Sequence, residues 1–68
     1  MDNSHYVQTI VRADLAAYIY KSRLEELLER MFRRIIPVRH EAGRFEFFAP
    51  SKVIDDDLMQ IVEVHRVH

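Results

Sequence analysis

From Asp14 to Arg34 the chain contains neither glycine nor proline, and most of its residues are strong helix formers. The segment is therefore expected to be one helix over 14–34, with Asp14 as a candidate cap and Arg33-Arg34 placed where cations complement the C-terminal dipole. Pro37 cannot continue that helix and pushes Ile36 into an extended conformation. In a chain of 68 residues, such a helix leaves room for only a few short strands, all in one domain spanning 1–68. The composition is 49% hydrophobic and 31% charged, the profile of a folded chain, and without cysteine there is no disulfide or thiolate metal site to staple it. Unstapled domains of this size often gain their missing burial from a second copy.

Strand signals flank the helix. His5 to Arg12 is rich in β-branched and aromatic residues and predicts a strand over 5–12. Residues 36–49 predict a hairpin whose register is set by charge: pairing His40 with Phe45 puts Arg39 opposite Glu46 and Val38 opposite Phe47. A two-residue Ala42-Gly43 loop forces alanine to positive φ, so a four-residue loop over 41–44 with the same register is expected. Residues 50–57 form a connector with room for one helical turn. The β-branched run over 58–67 predicts a last strand, with a short helix starting at the aspartates as the alternative, because Leu58, Ile61, Val62 and His65 also fit helical spacing.

The expected fold is α+β with the order β-α-β-β-β, one long helix packed on a small, mostly antiparallel sheet. A crossover between two parallel strands leaves room for the Phe-rich third strand between them and puts Pro37 on an edge. This is a split β-α-β sheet, and it resembles a ferredoxin-like fold whose second helix has shrunk to the 50–57 connector. It is also similar in architecture to dodecins, small β-α-β-β proteins that persist by oligomerising.

The apolar residues exceed what this fold can hide. Ala17, Tyr20, Leu24, Leu27, Leu28, Met31 and Ile35 form one stripe along the expected helix and are assigned to the core. Leu15, Tyr18 and Ile19 project from the opposite side, a second patch over the first two turns. One helix covers one sheet face, yet Phe48 opposes Phe45 and Phe47 on its strand, and Met59, Ile61 and Val67 oppose Val62 and Val64. Leu15, Tyr18, Ile19, Phe48, Ile61 and Val67 are accordingly the expected partner or oligomer contacts, a homodimer being the economical solution.

Catalytic and cofactor signatures are missing from the sequence. His65 and His68 stand i, i+3, which on a strand puts them on opposite faces, so with His5 and His40 they define no metal site. Asp55-Asp56-Asp57 lacks a glycine-bearing loop and further acidic ligands at loop spacing. Ser4, Ser22, Ser51 and Thr9 sit in no nucleophile elbow, and the only glycine, Gly43, is in the hairpin, which removes a phosphate-cradling loop. No cofactor and no enzyme activity is expected.

Ten Lys+Arg against eleven Asp+Glu give a net charge of −1, which supports no global attraction to nucleic acid or anionic membrane. The distribution is uneven, because residues 21–44 carry seven Lys/Arg against four Glu and residues 45–68 carry two against five Asp/Glu. Arg30, Arg33, Arg34, Arg39 and Arg44 gather near the helix end and hairpin, and Arg44-Phe45-Glu46-Phe47-Phe48 resembles the aromatic strand of RNA-recognition domains. That resemblance implies nucleic-acid binding, but it covers only these residues, lacks the family's glycines and sets Glu46 where it repels phosphate. Glu26 and Glu29, one turn before Arg30 and Arg33, are expected to neutralise them as helical ion pairs. No run approaches the length of a membrane span and the polar start is unlike a signal peptide, so a cytoplasmic location is expected. The leading expectation is a non-enzymatic, homo-oligomeric protein-interaction module. It would act as an accessory regulator or inhibitor of a host or partner protein, of the kind phages and mobile elements use; the alternative is nucleic-acid binding through the five arginines.

Overall fold

A computed structural model of the chain describes residues 5–63. They form a small α+β fold with a three-stranded antiparallel sheet and short helices: β1 (Val7–Val11), α1 (Ala13–Ala16), α2 (Lys21–Phe32), β2 (Arg39–Glu41), β3 (Arg44–Ala49) and α3 (Asp55–Leu58), which runs into a 3₁₀ turn at Met59–Ile61. The strand order is β1-β3-β2, so the Phe-rich strand is central and the Pro37 side lies at an edge. Period-2 alternation sorts the sheet: Thr9, Val11, Phe45, Phe47 and Ala49 are buried, while Gln8, Ile10, Arg44 and Phe48 face out. The inner face shares one buried core with Ala16 of α1, Leu24, Leu27 and Leu28 of α2, and Ile19, Ile36, Val38, Val53, Leu58 and Ile61.

The long helix expected over 14–34 is two helices. Tyr18-Ile19-Tyr20 is a β-branched and aromatic run with weak helix preference, and the chain breaks there, Tyr20 being extended (φ −79°, ψ 135°). Breaking frees the Tyr18 carbonyl, which a continuous helix would bond to the amide of Ser22; it instead accepts the Glu63 N–H at 2.7 Å. The break also turns Ile19 inward, leaving it 1% exposed. The expected stripe is therefore corrected: Leu24, Leu27 and Leu28 are core, whereas Ala17, Tyr20, Met31 and Ile35 are exposed and Ala16, Ile19 and Ile36 are buried instead. Asp14 is not the cap; Arg12 holds the N-cap position and Asp14 lies in the first turn of α1.

Two further expectations are revised. The hairpin has the anticipated register, Arg39↔Glu46 and His40↔Phe45, but Glu41 pairs with Arg44, so the loop is the two residues Ala42-Gly43 with φ of 55° and 77°. The sheet's twist favours such a primed turn strongly enough to hold an alanine in the left-handed region. Pairing opposite Val38 lies beyond β2. The last strand expected over 58–67 is not formed at 58–61, where the acidic first turn of α3, favourable at a helix N-terminus, leads Leu58 and Ile61 into the core at helical spacing; residues 64–67 lie outside the described residues.

Thr9 is the one buried polar side chain among the described residues, and its hydroxyl accepts the Val53 N–H at 3.3 Å. Thr9→Val keeps the shape but orphans that N–H, and is expected to lower unfolding free energy by about 1–2 kcal/mol in urea titrations. Ala42→Asn relieves the positive φ and is expected to raise it by about 1 kcal/mol; a loss on that substitution would contradict the turn assignment.

Candidate interaction surface

Among the described residues, nothing layers over the outer face of the sheet. Phe48, opposite Gln8, is 57% exposed, and Ile10, opposite Glu46, is 48% exposed. The two are diagonal neighbours across the β1–β3 ladder, close enough for their side chains to form one apolar patch. Toward the hairpin the same face becomes ionic. Arg39 and Glu41 on β2 close an ion pair at 3.0 Å, Arg44 and Glu46 on β3 close another at 3.1 Å, and the register sets Arg39 opposite Glu46 and Glu41 opposite Arg44. Charge thus alternates along and across the strands in a two-by-two block.

A second apolar surface lies at α1. Leu15, Tyr18, Met59 and Val62 line an open groove of about 370 Å³ with Arg12 and Asp14 at its rim. Arg12 Nε meets Asp14 Oδ1 at 3.3 Å and the Leu15 N–H donates to the same oxygen at 3.0 Å. The hydrogen bond from Arg12 holds the Asp14 carboxyl below its usual value against the opposing pull of desolvation, with the Arg12 charge and the backbone donors of Leu15 and Asp14 adding to it.

Of the expected contact residues, the structure leaves Phe48 and Tyr18 exposed and Leu15 half-buried. Ile19 and Ile61 are core residues of the chain itself and leave the candidate surface, the first because the helix breaks and the second because 59–61 is helical. Val67 lies outside the described residues. Ile10, Met59 and Val62 belong to these surfaces and were missed. Ile10 was legible in principle, since a strand that buries Thr9 and Val11 must turn Ile10 outward.

The five arginines meet different partners. Arg34 Nη1 donates to the Tyr6 hydroxyl and its guanidinium lies 6.0 Å from that ring's centroid, Arg39 and Arg44 hold their ion pairs, and Arg30 and Arg33 share a shallow surface with Glu26 and Glu29. The helical ion pairs expected there are not closed, Lys21–Glu25 at 3.9 Å being the i, i+4 pair among the described residues. The ring of His40 packs on Phe45 with centroids 4.6 Å apart. Among the described residues no three His, Asp or Glu side chains gather as a metal-holding group, and His65 and His68 lie outside them. None of the helices among the described residues is long and apolar enough to cross a membrane.

Compared with known proteins, the chain matches no family model, no curated protein and no solved structure.

The Asp14 contribution has a defined pH sign. A carboxyl lowered by folding adds stability above its unfolded value, and that part is lost as pH falls through the lowered one. Acid titration of Asp14→Asn, followed by circular dichroism, is expected to show a flatter loss of stability below about pH 4 than the wild type; identical curves would contradict the contact.

Proposed function

We propose that this chain is a small non-enzymatic protein-interaction module that works as a homo-oligomer in the cytoplasm, an accessory regulator or inhibitor acting by binding a partner protein. The observation that supports it best is the outer sheet face, where Phe48 and Ile10 stay exposed among the described residues while the helices pack on the other side. The groove of Leu15, Tyr18, Met59 and Val62 adds a second apolar contact. In fold terms, β1 and β2 running parallel on either side of β3 support a split β-α-β unit reduced from a ferredoxin-like plan. Nucleic-acid binding has less support, because three of its five arginines are engaged with Tyr6, Glu41 and Glu46.

Phe48→Asp tests the reading. Its side chain projects from the sheet, so the variant is expected to stay folded with a stability change below about 1 kcal/mol, while capture of the partner from the native host falls at least tenfold relative to wild type. Undiminished capture, or a mobility shift of single-stranded or duplex nucleic acid that vanishes on Arg33→Glu with Arg34→Glu, overturns it in favour of another surface or of nucleic acid.

A further inference from the structure

Closing the hairpin with a two-residue turn makes Glu41 and Arg44 a hydrogen-bonded pair, so along β2 the main-chain groups of Arg39 and Glu41 point to β3 and those of His40 point away from it. Among the described residues, nothing in the chain takes up the outward N–H and C=O of His40. An unfilled edge of this kind is satisfied by another extended backbone. The side chains then decide which one.

We propose that the β2 edge pairs antiparallel with the β2 edge of a second copy, about a two-fold axis through His40. This rests on the homo-oligomer reading and names its contact. The two His40 residues exchange both main-chain hydrogen bonds, and Arg39 of each copy falls opposite Glu41 of the other, in the pair type whose side chains approach most closely. Charge complementarity continues beyond the edge. Across the joined sheet one row reads Glu46, Arg39, then the second copy's Glu41 and Arg44, and the neighbouring row is its reverse, so signs alternate along every strand and every ladder. A charged edge normally deters pairing, because a random partner strands the charge or meets it with its like; only a strand with the opposite order fits, and this chain supplies one. The other outer strand, β1, is uncharged from Val7 to Val11 and has nothing ionic to fix a register. The joined sheet has six strands, with the Phe48 and Ile10 patches on one continuous face.

Sedimentation equilibrium of wild type, Arg39→Glu, Glu41→Arg and an equimolar mixture of the two variants tests this. The wild type is expected to dimerise, each variant alone to self-associate at least about tenfold more weakly, and the mixture to recover the dimer, because mixing restores opposite charges across both pairs. Since each substitution also sets like charges opposite β3, a second arm uses the absence of native cysteine: His40→Cys brings two thiols about as far apart as a hydrogen-bonded pair allows, within disulfide range, and is expected to oxidise to a covalent dimer faster than Gln60→Cys. A monomeric wild type overturns both this contact and the homo-oligomer reading. Dimerisation of the single variants at wild-type strength, a mixture no tighter than its components, or equal oxidation of the two cysteine variants overturns the contact alone.

Discussion

One-sided burial governs this molecule. Phe45, Phe47 and Ala49 of the central strand, with Thr9 and Val11 beside them, need a layer of helix, and among the described residues α1, α2 and α3 supply it on that face. Ile10 and Phe48 are on the other face by the same alternation that puts their neighbours inside, so their exposure follows from the burial of the core.

The break between α1 and α2 serves the same need. A continuous helix would have carried Ile19 to solvent and left the core short of a large side chain; the break brings Ile19 in, and the released Tyr18 carbonyl pins the chain leaving α3 through Glu63. Thr9 does the same for the connector by accepting the Val53 N–H. These two bonds tie segments distant in sequence to β1 and to the break between α1 and α2, and each gives a backbone group outside the ladders a partner.

Features set by local chemistry were legible in the sequence. Strand β1, the central place of β3, the edge position of the Pro37 strand and the hairpin register all followed from β-branched runs, proline geometry and the opposite charges of Arg39 and Glu46. Features decided by tertiary balance were not. The propensity of Asp14 to Arg34 favours one helix, but the core's demand for Ile19 outweighs it; the apolar run from Leu58 reads as strand or helix until the core fixes its period; and the hairpin closes in a two-residue primed turn, the type that matches strand twist, although this holds Ala42 at positive φ. The candidate surface was half legible, Phe48 and Tyr18 by alternation and facing, while Ile19 and Ile61 changed sides when their segments did.

If a second copy completes the sheet at β2 as proposed, the main-chain amide of His40 reports the pairing directly. Followed by hydrogen exchange in nuclear magnetic resonance across a hundredfold range of protein concentration, that amide is predicted to gain protection as concentration rises, while the amides of the β1–β3 ladder stay equally protected throughout. Exchange of His40 at the rate of an open, solvated amide at every concentration would contradict the account.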